Sequence, residues 1–419
     1  MQIKHMPQWS VVALSGLALL GLGAQGANAA VLETGLDLPA LTGPYTTGTT
    51  YYQLLDSSRD ETFTLDPVDK RQLGLQIWYP AAGGGTQPAS YIPFPLAEVP
   101  EFGLFNLVRP RSFLEAALAA DQAAYPVLLF SHGFGELSQT YTAQAEALAS
   151  HGYIVASVTH PYDALVTGLL DGQIIPQDPS LVADFGNPAM YQAASEKETA
   201  LRAADLQFVL DELTRLNASD PQNRLTARLD LDRVGVFGHS LGGATAAEAM
   251  RLDERFDVGL NLDGSLWGEV VKTGLDRPFM LMNSENAFLS DASKQAFFSN
   301  LTGDRYNLTL EGAKHHNFAD APFLLPLLAE VGAADLYQVG SIDPSRGATL
   351  INQYALAFFD QYLKGQPQPL LTSPSPYEEV DFEFRNADSE TVPEPGVVLG
   401  LALIGLAWRW QTYRMRQIG

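Results

Sequence analysis

The chain has 419 residues, 46% of them hydrophobic and 17% charged, the proportions of a packed globular protein rather than a fibrous or disordered one. A formal net charge of −23 at pH 7 argues against nucleic acid or an anionic membrane surface as a partner, because like charges repel. With no cysteine, a thiol nucleophile, a disulfide framework and a lipid-modified N-terminal cysteine are all excluded.

At the start, Lys4 precedes the apolar run 11–22, and small residues follow, ending Ala27-Asn28-Ala29. That order predicts a secretory signal peptide over residues 1–30 and hence export. Residues 64–80 contain RQLGLQIWYP, whose alternation predicts an early strand ended by Pro80. The stretch AAGGGTQPASYIPFPLAEVP is too rich in Gly and Pro for regular structure. Residues 127–130 form an apolar run that predicts a buried strand, bounded by SHGFG. A helix over 140–150, a strand IVASV and a long amphipathic helix over 196–216 follow. The insertion 162–191 falls after the IVASV strand, above the carboxyl edge of the sheet, where it is expected to form a lid or substrate wall.

Residues 234–250, VGVFGHSLGGATAAEAM, carry the main chemical signal. A β-branched and aromatic run leads into Gly238-His239-Ser240-Leu241-Gly242, and an alanine-rich helix former follows. Strand, sharp turn and helix are the context that makes Ser240 a nucleophile on an elbow, with the first amides of the helix facing a developing oxyanion. Such a serine needs an imidazole base and an orienting carboxylate. FDVGLNLDG predicts a buried strand over 256–262 that ends at Asp263, the expected acid. Of the seven histidines, His5 lies in the expected signal peptide, His132 and His160 precede the serine, His151 lies at the wrong strand edge, and His239 is the serine's own neighbour. His315 and His316 remain as bases, in EGAKHHNFAD after a strand-like run over 306–310.

A strand over 278–282 and a closing helix over 351–363 complete the body, and no internal repeat is visible. Alternating strands and helices predict an α/β fold with a mostly parallel, doubly wound sheet. Residues 366–391 are expected to be an acidic, proline-containing stalk. Val392-Pro393-Glu394-Pro395, the apolar run 396–408 and the following arginines resemble a PEP-CTERM sorting tail. That resemblance implies exosortase-type sorting machinery as a partner and at least transient membrane contact through 396–408. The domain plan is therefore 1–30, a catalytic body over 31–365, a stalk over 366–391 and a tail over 392–419.

LGLQIWYP, VLLFSHGFG with LASHGYIVASVTH, GVFGHSLGGAT, LNLDG and KHHNFAD occur in one order. With these segments, residues 51–365 resemble the platelet-activating factor acetylhydrolase family within the α/β-hydrolase fold. The resemblance implies Ser240 as nucleophile, Asp263 as acid and His315, first residue of the H-x-N-F pattern, as base. It also implies an oxyanion hole from the backbone N–H groups of Phe134 and Leu241. His160 departs from the charged pair that tends to follow this strand in the family, so it is expected to alter the pocket wall. Trp267 and Phe318 are expected near the acyl site, which would favour short acyl chains.

No cofactor and no metal are expected, since neither ligand clusters nor phosphate-binding loops occur. The resulting expectation is a secreted serine ester hydrolase acting on a small ester or lipid-like substrate. Polyester, cutin-like or lactone hydrolysis and lipase activity are the alternatives. A non-catalytic surface binding protein on the same scaffold is a third.

Overall fold

A computed structural model describes residues 35–372 and 374–387; the expected signal peptide and sorting tail lie outside them. Ten strands form the main sheet. In chain order they are β1 (Thr46–Asp60), β2 (Lys70–Ala81), β3 (Phe113–Leu114), β4 (Tyr125–Ser131), β5 (Ile154–Thr159), β6 (Leu229–His239), β7 (Val258–Leu262), β8 (Phe279–Ser284), β9 (Arg305–Leu310) and β10 (Val380–Arg385). Their spatial order is β10-β9-β8-β7-β6-β4-β5-β2-β1-β3. The strands from β9 to β5 are parallel, while β2 and β10 add antiparallel on either side.

Among the described residues, the α-helices of eight residues or more are α1 (Thr142–Ser150), α2 (Pro179–Gly186), α3 (Tyr191–Ala218), α4 (Leu241–Leu252), α5 (Ala292–Asn300), α6 (Ala321–Glu330) and α7 (Pro344–Leu363). The central strands read as continuous apolar runs because helices cover both of their faces. In β4, Val127 and Leu129 join one core layer with α3, α4 and α5, while Leu128 and Phe130 join the opposite layer with α1 and α7. This is the mostly parallel, doubly wound α/β sheet expected from the pattern, in the α/β-hydrolase arrangement that the family resemblance implies. After β4 the chain adds β5 on one side, then crosses to place β6 on the other. The crevice where ligands bind in an open parallel sheet therefore opens at the carboxyl ends of β4 and β6.

Two expectations change. Residues 366–387 are not an exposed stalk: Leu371 is buried, and β10 pairs with β9 from Arg305↔Arg385 to Leu310↔Val380. The run VDFEFR alternates, so Phe382 and Phe384 stack toward Tyr306 while the acids face outward. Secondly, β1 was not anticipated, although its Thr- and Tyr-rich sequence suits a strand; it pairs with β2 along nearly its whole length.

Candidate active site

Ser240 ends β6 and caps α4 with φ 56° and ψ −122°, a conformation that costs a non-glycine residue on the order of 1 to 3 kcal/mol. The cost is met by close backbone packing that only glycine permits. A Cβ on Gly242 would lie 2.0 Å from the carbonyl oxygen of Ser131, and one on Gly238 would lie 2.3 Å from that of Gly242. The Ser240 amide donates to Leu262 O at 2.9 Å, which fixes the turn against β7. The amides of Leu241 and Gly242 open the following helix, where N–H groups lack intrahelical acceptors.

Asp263 follows β7, also at positive φ, 54°. Asn261 shapes its turn, accepting from Gly264 N at 2.7 Å. The carboxylate accepts from Ser284 N at 3.0 Å, Ser284 Oγ at 2.9 Å, Lys294 Nζ at 3.2 Å and His315 Nδ1 at 2.8 Å. Burial opposes its charge, but Lys294 and the His315 hydrogen bond outweigh burial and hold the carboxyl well below the usual carboxylate range. His315 starts a single helical turn, His315–Phe318, after β9. With the Nδ1 proton directed at Asp263, the basic lone pair of the neutral ring sits on Nε2. His239, the residue before Ser240, bonds through Nε2 to His315 O at 3.0 Å, and the two rings lie 4.3 Å apart. The elbow and the base loop are thereby joined.

His316 turns elsewhere: its Nδ1 accepts from Gln338 N at 2.8 Å, and its Nε2 lies 3.5 Å from Glu136 Oε1. Burial and the neighbouring His315 push its pKa down to about 3. Of the two rings, it is that of His315 which meets Asp263.

Phe134 lies in the loop after β4. Arg202 of α3 donates to His132 O at 2.6 Å and pairs with Asp163, whose own carbonyl accepts from Gly135 N at 3.1 Å. This loop is therefore anchored on both sides of Phe134. The Phe134 ring stacks on Phe185 of α2 with centroids 3.9 Å apart, and Tyr191 meets both Phe185 and Trp267 edge-on. The insertion after β5 thus supplies part of an aromatic wall that also packs the Leu241 side chain.

Two predicted wall residues lie elsewhere. His160 is fully buried, bonded through Nδ1 to Asp205 at 2.8 Å and through Nε2 to Ser131 Oγ at 3.0 Å, and burial lowers its pKa to about 4. Phe318 is 3% exposed and packs in the core layer below His239. Neither forms pocket wall, because position in a loop does not set side-chain direction. Phe185, Tyr191, Lys294, Ser284 and Glu136 were not singled out from sequence; only the place of the insertion 162–191, expected as a lid or substrate wall, pointed toward the first two.

Among the described residues, no group of three or more His, Asp or Glu is placed to hold a metal ion. Likewise, no described helix is long and apolar enough to cross a membrane.

A family model described as platelet-activating factor acetylhydrolase, isoform II, matches residues 31–368. The platelet-activating factor acetylhydrolase of Cavia porcellus is 31% identical over 260 residues, which cover 57% of this chain and 58% of that protein. A protein of Arthroderma benhamiae named as a probable 1-alkyl-2-acetylglycerophosphocholine esterase is 28% identical over 278 residues, covering 62% of this chain and 67% of its own. Among solved structures, ferulic acid esterase from Streptomyces cinnamoneus superposes with a TM-score of 0.71 at 31% identity, covering 83% of this chain and 99% of that one.

Proposed function

The chain belongs to the platelet-activating factor acetylhydrolase, isoform II family, and from that premise we propose that it is a serine ester hydrolase for short-chain carboxylic esters, phospholipid-like esters included. The observation that carries the reading is Ser240 at positive φ on its elbow, tied through His239 to a histidine whose Nδ1 is 2.8 Å from buried Asp263. Ser240 Oγ attacks the ester carbonyl while His315 Nε2 takes its proton. The tetrahedral oxyanion is met by the amides of Leu241 and Phe134. Asp263 holds the ring in the Nδ1–H tautomer and stabilises the imidazolium. His315 then protonates the leaving alcohol, and water, deprotonated by the same ring, releases the acyl group.

A second reading, hydrolysis of esters with an aromatic acyl group, is supported by the aromatic wall of Phe134, Phe185, Tyr191 and Trp267. Labelling by a fluorophosphonate, lost in Ser240→Ala, tests the shared chemistry. Relative kcat/KM on a 2-acetyl glycerophospholipid, p-nitrophenyl acetate and methyl ferulate separates the two substrate readings. Export is also proposed, from the sequence patterns of residues 1–30 and 392–419, with the exosortase-type machinery as sorting partner. Sequencing both ends of the surface-displayed protein tests it.

A further inference from the structure

Glu136 follows the oxyanion loop and reaches toward the histidine loop. Its Oε2 lies 2.8 Å from Tyr141 Oη, Tyr141 Oη lies 2.8 Å from His239 Nδ1, and His239 Nε2 lies 3.0 Å from the carbonyl oxygen of His315. Each of these short contacts needs one hydrogen between its atoms. A neutral imidazole supplies one and a phenol supplies one, so a chain with ionised Glu136 and neutral His239 is a hydrogen short. Gly133 N, at 3.1 Å from Tyr141 Oη, occupies another lone pair of the phenol and does not fill the gap. Thr140 Oγ1 spends its hydrogen on Leu137 O at 2.7 Å.

The missing proton belongs on either His239 or Glu136. His239 is fully buried beside His315 and His316, and burial and both neighbours disfavour its imidazolium. Glu136 is raised by burial, against the Tyr141 hydrogen bond and the positive fields of His315 and Arg202. Tyr91 and Tyr337 also face it, neutral at ordinary pH because both are raised. Since His316 Nδ1 accepts from Gln338 N, the His316 proton sits on Nε2, toward Glu136 Oε1 at 3.5 Å. That leaves Oε2 as the hydroxyl oxygen.

We propose that Glu136 is a positioning residue that works as an un-ionised carboxylic acid, donating through Tyr141 and His239 to the backbone of His315. One line of hydrogen bonds then ties the oxyanion loop at Gly133, the elbow at His239 and the base loop at His315. If Glu136 ionises as pH rises, two lone pairs face each other across one of the short contacts and the brace loosens. Its folded pKa is raised, so the stability it contributes is complete at low pH and lost as pH rises through the folded value.

The proposal rests on the ester-hydrolase reading, and the test keeps the two apart. Infrared difference spectra of the purified chain against Glu136→Gln, taken across pH, read the protonated carboxyl C=O stretch without turnover. Kinetics on p-nitrophenyl acetate run alongside. The band is expected at neutral pH in the wild type, vanishing at alkaline pH together with a fall in kcat. Glu136→Ala and Tyr141→Phe are expected to lose about fivefold to tenfold in kcat at little change in KM, the effect of one hydrogen bond acting on the transition state. Glu136→Gln, whose amide can donate to Tyr141, recovers most of that and loses the alkaline fall. Absence of a band that Glu136→Gln removes, or an unchanged alkaline limb in that variant, overturns the proposal. A wild type that hydrolyses no ester at all defeats the functional reading, while the band still decides the state of Glu136.

Discussion

Lys294 Nζ lies 3.2 Å from Asp263 Oδ1, and the two side chains are 3% and 4% exposed. Asp263 is thus half of a buried ion pair as well as the partner of His315. Its charge is sustained from α5, outside the loops to which the proposed mechanism assigns the reaction. Lys294→Met leaves a buried carboxylate with one fewer counter-charge, and breaking such pairs costs about 3 to 5 kcal/mol. Chemical denaturation should show that loss, and kcat should fall with it. Because the folded pKa of Asp263 is depressed, the stability it contributes is present above its unfolded value of about 3.9 and lost as pH falls below it. In Lys294→Met the Asp263 carboxyl titrates closer to its unfolded value, so this acid-dependent loss shrinks and the stability gap between variant and wild type should narrow as pH falls below about 4.

Ser240→Ala and His315→Ala should each lower kcat by on the order of 10⁴ to 10⁶; thermal unfolding should stay near the wild type in Ser240→Ala and fall in His315→Ala, which leaves buried Asp263 without one hydrogen bond. His316→Ala should keep a rate within about tenfold, since its ring faces Glu136 and Gln338 rather than Asp263. A dead His316→Ala beside an active His315→Ala would reverse the assignment of the base.

On the proposed function, the aromatic wall bounds the acyl site. Activity on p-nitrophenyl esters should peak at short chains, because each methylene-sized misfit in an apolar pocket is worth about 1 to 3 kcal/mol. Phe185→Ala removes the ring stacked on Phe134 and should move the optimum toward longer chains, with kcat on the acetate ester largely kept. An optimum that stays in place would mean that α2 does not bound the acyl site.

Removal of residues from 366 onward takes away β10 and its stacking on Tyr306, where each aromatic pair adds about 0.5 to 1.5 kcal/mol beyond area burial. That truncation should lower the melting temperature and expose β9 as a sheet edge prone to association. Removal from 392 onward keeps the whole sheet and should leave folding and activity intact. Equal melting temperatures for the two truncations would place the strand outside the cooperative unit.

The place of Ser240 on its turn was readable because a strained turn requires glycines two residues either side of the serine, and those leave a local signature. The meeting of Asp263 with His315 was readable through chain order, since Asp263 follows the next strand over. Lys294 and Ser284 were not: their bonds to Asp263 span 31 and 21 residues, and a lysine in DASKQAFF reads as an ordinary helix-surface residue. His160 misled because its loop position was right while its ring turns inward to Asp205. The stalk misled because its prolines and acids mask a short alternating run whose phenylalanines find Tyr306 only in three dimensions.

The wall and the triad come from different parts of the chain. Ser240, Asp263 and His315 stand at the ends of buried strands, whereas Phe185 and Tyr191 arrive from the segment inserted after β5. That segment returns to the sheet through α3, whose Arg202 anchors the oxyanion loop. Residues 166–190 can therefore change in length or sequence without disturbing the strand ends, provided Asp163 and α3 keep their places. On the proposed function, substrate choice would in that sense be a replaceable cassette, and bond cleavage a fixed chassis beneath it.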